Sequence, residues 1–318
     1  MGAASSAATL PSSLVRHDRL EAIWRVTDPK FTLASVAALL LGACVAARDG
    51  ALSWGWLAVT VLGTFCVEAA KNASGEIFDW DSGTDPGIRE DERTPFSGGK
   101  RVLVDGLVTR RELAIIAACF YALGAVAGLA VVLLQEPRVI WIGLSGFALA
   151  FFYHAPPLKL AYRGLGELAI GAAYGPVVAC GTYLVQRHVI SPGILIASLP
   201  LLFAQLTCIT YCEFPDSRSD AIAGKRTWVV RLGRSRAARA YPWLVALAYA
   251  SVLVLPLFGF SEAVWAGLCG LPFALRAAIQ LGRFHDTPRK LTLAFPFVLA
   301  SFMLQAVGIG MGVLLGGH

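Results

Sequence analysis

Two short stretches of this chain carry acids at spacings that can do chemistry. In residues 72–85, NASGEIFDWDSGTD, Glu76, Asp79, Asp81 and Asp85 fall within ten positions, with Arg93, Thr94 and Lys100 downstream. In the second stretch Glu213, Asp216 and Asp220 precede Lys225, Arg226 and Thr227. Acids three or four residues apart share one face of a helix, where they repel each other unless a cation neutralises them. Mg²⁺ suits such a set: it takes oxygen ligands, keeps several waters, and bridges one or two carboxylates to substrate phosphates. His and Cys are too few nearby for zinc. Ca²⁺ shares the ligand type, but no EF-hand loop is present. Basic side chains beside the acids would hold phosphate oxygens. Glu76, Asp79, Asp81, Asp85, Glu213, Asp216 and Asp220 are therefore candidate metal ligands. The order acid, acid, acid, Arg-Thr occurs twice, as where two weakly similar halves of a membrane protein meet at a shared site. Glu90, Asp91 and Glu92 form a run rather than a face and read as solvated charge. The SGGK at 97–100 lacks the upstream glycine of a P-loop, although Lys100 remains a candidate for phosphate.

The elements that must position these acids are apolar. The 318 residues are 56% hydrophobic and 15% charged, with a mean hydropathy of +0.64. A soluble domain has about a quarter of its residues charged. Helical runs read at 31–47, 52–72, 113–134, 139–153, 165–186, 192–212, 240–258, 262–281 and 291–315. With ~20 residues needed to cross a bilayer, these give about nine transmembrane helices. The runs lack the period-two alternation of a membrane barrel, so the chain is expected to be an all-α polytopic membrane protein. Of the 27 Lys and Arg, 22 fall on the side that holds the N-terminus and three on the other. The positive-inside rule then places the N-terminus and both acidic loops in the cytoplasm. The net charge of +6 follows from this orientation, with no nucleic-acid partner implied. Residues 1–24 lack the apolar core of a signal peptide and read as a cytoplasmic tail. Residues 25–318 read as a single transmembrane domain.

Other polar residues have simpler readings. The seven cysteines lie in or beside apolar runs and read as packing residues. Glu68 and Lys71 read as a helix-end pair, and Glu167, one turn after Arg163, as its ion partner. Gln205 either lines a cavity or bonds a neighbouring helix. His154 is not expected to be a ligand.

Three stretches together resemble the UbiA superfamily of intramembrane prenyltransferases, in its 1,4-dihydroxy-2-naphthoate branch. NASGEIFDWDSGTD is similar to the first aspartate-rich motif. YHAPPLKLAYRGLGELAIGAAYGPVVACGTYLVQ (153–186) looks like the central segment, and DSRSDAIAGKRTWVVRLG (216–233) resembles the second motif. The resemblance implies a helical bundle whose two pseudo-repeated acidic loops hold Mg²⁺ on a polyprenyl diphosphate at the cytoplasmic face of the cell membrane. It assigns Asp79, Asp85, Asp216 and Asp220 to the metal, with Asp79 and Asp216 central to catalysis. It gives Arg93 and Lys225 or Arg226 to the diphosphate. Tyr153, with Lys159 downstream, matches an element lying over the diphosphate and the allylic carbon. Asn72 and Arg163 complete the candidate substrate-binding set. Four positions depart from the pattern: Gly75 stands where the family usually has Asn, Glu76 where it has Asp, Glu213 where it has Asn, and Pro215 where it has Arg.

Such a site would transfer a polyprenyl group to an aromatic acceptor, as in quinone biosynthesis. Metal and bases would neutralise charge on the departing diphosphate. A dry cavity would protect the allylic cation, and Tyr153 would face it as an electron-rich ring. Tyr162, Tyr174 and Tyr211 are secondary candidates. The alternatives are an intramembrane terpene cyclase, in which the cation attacks its own chain, and a secondary transporter.

Overall fold

The computed structural model describes residues 18–90, 92–94 and 99–316 and, among them, contains helices and connecting turns but no strand. The chain forms α1 (Arg19–Thr27), α2 (Pro29–Asp49), α3 (Trp54–Asp81), α4 (Arg110–Leu134), α5 (Val139–Phe152), α6 (Gly166–Ala172) and α7 (Val178–Arg187). It continues with α8 (Pro192–Ile222), α9 (Trp228–Leu232), α10 (Arg234–Leu253), α11 (Leu271–Phe284), α12 (Pro288–Leu291) and α13 (Phe295–Leu315). All nine apolar runs lie on these helices or on the 3₁₀ and π-helical segments that adjoin them. Six segments among the described residues are long and apolar enough to cross a membrane by themselves: 32–49, 110–134, 166–187, 192–222, 262–284 and 288–315. The chain is a multi-pass membrane protein.

Sequence chemistry sets the helix ends. Thr109 and Glu112 open α4 with a capping box: the Thr109 hydroxyl accepts from the Glu112 N–H at 3.2 Å, and Glu112 Oε2 accepts from the Thr109 N–H at 2.9 Å. Ser191 caps α8, with Pro192 in its first turn. Two helices run past the membrane. At 1.5 Å per residue the 28 residues of α3 and the 31 of α8 span roughly 42 and 46 Å, against ~30 Å of hydrocarbon. Their overhanging last turns carry the acids.

The main core joins α2, α7, α8, α10 and α13, with Leu41, Leu201, Tyr211, Phe214, Tyr241 and Phe302 fully buried. Alpha-13 lies directly on the segment Glu262–Gly270. A Cβ at Gly308 would sit 2.4 Å from the Ala266 backbone, and one at Gly312 would sit 2.3 Å from Ala263 O. Close helix approach through small residues replaces the hydrophobic drive that lipid does not supply. Leu123, Val126, Leu133, Trp141 and Leu144 on α4 and α5 remain exposed, as lipid-facing side chains should.

A smaller cluster fixes the first acidic segment. Val102, Leu103, Leu107 and Val108 pack with Ala22 and Val26 of α1 and with Ala73 and Ile77 of α3. Residues 19–24 are therefore helix docked on the domain, where the sequence suggested the end of a tail. The docking follows from an apolar pair one turn apart, Ala22 and Val26. Residues 1–17 of the expected tail lie outside the described residues.

Candidate active site

The acids of α3 part company according to the helix period. Glu76 and Asp79, three residues apart, point inward and are buried. Glu76 Oε2 accepts from the Lys100 N–H at 2.7 Å and Oε1 from the Val102 N–H at 2.6 Å, so its carboxylate closes the loop that returns to α4. Gly99 makes this closure possible. Its φ is +64°, and a Cβ there would lie 2.5 Å from Asp85 Oδ2 and 2.7 Å from Glu76 Oε2. Asp81, about 200° around the helix from Asp79, lies outside this arrangement. It forms a two-pronged pair with Arg110, at 2.9 Å from Nε and 2.7 Å from Nη2, on the exposed face.

Lys225 ties the two acidic segments together. Its Nζ lies 2.8 Å from Asp79 Oδ1 and 3.5 Å from Asp220 Oδ1. Burial works against its charge, but Asp79 and Asp220 outweigh it and hold the ammonium well above the ordinary lysine range. Asp85 is pushed the other way. Burial raises its carboxyl well above the usual range, and the charges of Asp79, Glu76 and Asp216 add to it. Asp85 Oδ2 is buried and finds no hydrogen-bond partner among the described residues. Asp216, half-buried on α8, is thus within electrical reach of the first segment. Glu213 is buried higher on α8, with Glu167 and Asp220 among its charged neighbours.

The remaining candidates divide. Asn72 donates to Val26 O at 2.9 Å and reaches the site's cavity. Lys100 lines the same cavity, with its ammonium paired to Asp28. Arg93 is half-buried, and its Nε has no hydrogen-bond partner among the described residues. The Tyr162 ring lies between Lys159, 5.1 Å from its centroid, and Lys225, 5.9 Å away. Lys159, Arg163 and Arg226 are exposed, so burial singles out Lys225 from the basic pair at 225–226. Arg163 donates to Pro157 O at 3.0 Å, while Glu167 accepts from the Trp228 N–H; the pair expected between them does not form. Arg163 sits in a 3₁₀ turn and Glu167 in the next helix, which breaks the one-turn geometry. Tyr211 donates to Leu291 O at 2.9 Å and belongs to the core. Glu92, read as solvated, pairs with Arg234 at 3.3 Å; Asp91 lies outside the described residues.

Two site residues, His154 and Lys71, escaped the sequence reading, and a third, Tyr174, was only a secondary candidate. His154 Nε2 lies 3.4 Å from Asp79 Oδ2. The signal was Gly75: a Cβ there would stand 2.7 Å from His154 Cε1, so the glycine leaves room for the imidazole. Lys71 and Tyr174 form the second feature. Because α3 runs on to Asp81, Glu68 and Lys71 lie inside the helix rather than at its end. Tyr174 links them, donating to Glu68 Oε1 at 3.0 Å and accepting from Lys71 Nζ at 3.2 Å, while Ser35 donates to Glu68. A π-helical turn at Ala173–Val177, with Pro176 inside it, carries Tyr174.

Two cavities meet at this wall. The larger, about 490 Å³, is apolar and lies among α3, α4, α5 and the α6–α7 segment. The smaller, about 230 Å³, has Glu76, Asp79 and Lys100 at one end and Cys208, Val298 and Phe302 at the other. Lys71, Tyr153, Ile170 and Tyr174 line both.

The model of the UbiA prenyltransferase family matches residues 35–304. The chain belongs to the UbiA prenyltransferase family. It is 31% identical to the 1,4-dihydroxy-2-naphthoate octaprenyltransferase of Mycobacterium tuberculosis over 258 residues, 80% of this chain and 85% of that one. It is 26% identical to the 2-carboxy-1,4-naphthoquinone phytyltransferase of Synechocystis over 296 residues, 90% and 91% of the two chains. The solved structure of a UbiA homolog from Archaeoglobus fulgidus bound to GPP and Mg²⁺ superposes with a TM-score of 0.62 at 16% identity, covering 92% of this chain and 99% of that one. This UbiA chain is therefore a prenyltransferase.

In this UbiA chain no three His, Cys, Asp or Glu side chains among the described residues converge tightly enough to enclose an ion alone. The donor set nevertheless fits Mg²⁺, which needs only one or two carboxylates when phosphate and water complete its shell. The donors are oxygens, Asp85 Oδ2 is buried without a partner among the described residues, and Lys225 is the cation between Asp79 and Asp220.

Proposed function

We propose that this chain transfers a polyprenyl group from a polyprenyl diphosphate to a 1,4-dihydroxy-2-naphthoate-like ring, with Mg²⁺, at the cytoplasmic face of the cell membrane. The wall shared by the two cavities supports this reading above all. An isoprenoid tail fits the larger, apolar cavity, its diphosphate the acidic end of the smaller one, and its allylic carbon the junction at Tyr153 and Tyr174. The names of the relatives from M. tuberculosis and Synechocystis point to a naphthalene acceptor.

Asp79, Asp85, Asp216 and Asp220 would hold Mg²⁺, which would offset the charge growing on the departing diphosphate. Lys225 keeps Asp79 and Asp220 converged, and Arg93 supplies a donor to phosphate oxygens. Gly99 and the Glu76 closure cover the acids from the cytoplasmic side. Tyr153 and Tyr174 present ring faces to the allylic cation and exclude water from it. The C1–oxygen bond to diphosphate breaks, a ring carbon bonds to C1, and the ring releases a proton.

The test is product analysis by mass spectrometry on purified protein in lipid. Geranylgeranyl diphosphate is supplied with or without 1,4-dihydroxy-2-naphthoate, each with Mg²⁺ or EDTA. A prenylated ring formed only with acceptor and Mg²⁺ is expected. A terpene hydrocarbon or alcohol formed without acceptor would replace this reading with a cyclase.

A further inference from the structure

We infer that Gln205 is a specificity-determining residue, whose side-chain oxygen accepts a hydrogen bond from a ring hydroxyl of a planar acceptor lodged in the smaller cavity. The inference rests on the reading of this site as a ring prenyltransferase and adds how the ring is chosen.

Gln205 is 8% exposed, sits in the membrane-spanning part of α8 and lines the 230 Å³ cavity. Its Oε1 is buried without a hydrogen-bond partner among the described residues. Other glutamines in the bundle are tied to backbone. Gln305 donates to Ala248 O at 3.0 Å, Gln186 accepts from the Ser53 N–H at 2.8 Å, and Gln135 donates to Val185 O at 2.9 Å. Gln305 Oε1 is likewise unpaired among the described residues, but Gln305 lines neither cavity, whereas the Gln205 amide lines the smaller one. A buried amide oxygen left unpaired is costly, and mature cores rarely keep one without a purpose. Neither end of the Gln205 amide has a hydrogen-bond partner among the described residues, and its buried oxygen is free to accept from a ring hydroxyl.

Position supports the same assignment. Gln205, Cys208, Cys212, Asp216 and Asp220 recur at three- or four-residue steps and form one stripe along α8. The first three line the cavity, and the stripe ends in the acids proposed for the metal. Gln205 lies roughly 16 Å along the axis from Asp216. That interval accommodates a diphosphate, the allylic carbon and one fused-ring acceptor in sequence. Opposite the stripe, Phe295, Val298, Leu299 and Phe302 of α13 give the cavity an apolar and partly aromatic wall, suited to a flat ring. The isoprenoid tail has the other cavity to itself.

The decisive variant is Gln205→Leu, which keeps the bulk and removes the amide. With geranylgeranyl diphosphate and 1,4-dihydroxy-2-naphthoate, the KM for the ring should rise about tenfold, as for one lost hydrogen bond, and the KM for the diphosphate should hold. Of 1-hydroxy- and 4-hydroxy-2-naphthoate, the wild type should penalise the one lacking the recognised hydroxyl, and Gln205→Leu should treat both alike. Without ligand, the variant should unfold at the same or a higher temperature than the wild type, because an unpaired polar group has gone. A Gln205 that merely bonds a neighbouring helix would instead lower that temperature and shift both KM values together. An unchanged ring KM, or persistent discrimination in the variant, overturns the proposal. Should the wild type form no prenylated ring, the proposed reaction fails, and Gln205 is judged by thermal shift alone. Stabilisation of the wild type but not of Gln205→Leu by the dihydroxynaphthoate supports it; equal stabilisation, or none, overturns it.

Discussion

The two ends of the bundle treat buried acids in opposite ways. At the end away from the site, Glu136 accepts from the Arg138 N–H, Nε and Nη2 at 3.1, 2.7 and 3.0 Å, and pairs with His188 Nδ1 at 2.9 Å. Arg138 foremost holds that carboxyl down at about 2. Asp49 similarly receives the Tyr183 hydroxyl at 2.6 Å and Arg48 Nε at 2.7 Å. These acids have the protein itself as their partner. At the site end, Asp85 is raised by burial and by neighbouring acids, and its buried Oδ2 has no partner among the described residues. Acids saturated by the chain hold structure, and the acids crowded against one another beside a cavity are those the proposed reading gives to a cation.

The largest effect that could break this contrast lies in the crowded set. Asp79→Ala or Asp216→Ala should lower turnover by about 100-fold or more; the thermal transition should be largely retained in Asp216→Ala and lowered in Asp79→Ala, which leaves buried Lys225 without its nearest partner. Near-normal product formation by either variant would remove it from the metal set. Gly75→Ala comes next. A Cβ 2.7 Å from His154 Cε1 forces the imidazole away from Asp79, and turnover should fall about tenfold through misplacement of that carboxylate. Adding His154→Ala should restore part of the loss by giving the new methyl room. A fully active Gly75→Ala would show that this contact does not position Asp79. The smallest effects belong to the saturated acids. Asp81→Asn and Glu136→Gln should leave turnover within about twofold; Asp81→Asn should cost about 1 kcal/mol or less in stability, as exposed pairs do, and Glu136→Gln, at a buried acid bonded on several sides, about 1–3 kcal/mol. A large loss of activity in Asp81→Asn would return it to the metal set.

Much of the fold was legible in the chain. Each apolar run became helix, because a segment without water must satisfy its own backbone. The site was legible only where local geometry governs it. The three-residue step from Glu76 to Asp79 and the four-residue step from Asp216 to Asp220 put each pair on a common face. The two-residue step from Asp79 to Asp81 turns Asp81 to another face of the helix, where it pairs with Arg110. Lys225 and Arg226 are indistinguishable in sequence, and burial separates them. His154 was passed over because its partner is a glycine 79 residues earlier in the chain.

The sequence by itself thus determined the helices, their apolar faces and the acids in their last turns, since these follow from composition and a 3.6-residue period. Only the tertiary structure decided that Lys225 joins Asp79 to Asp220, that Gly99 seals Glu76 and Asp85, and that Tyr174 stands between two cavities. Those are contacts between segments far apart in the chain. They depend on how helices pack, on which no local spacing bears.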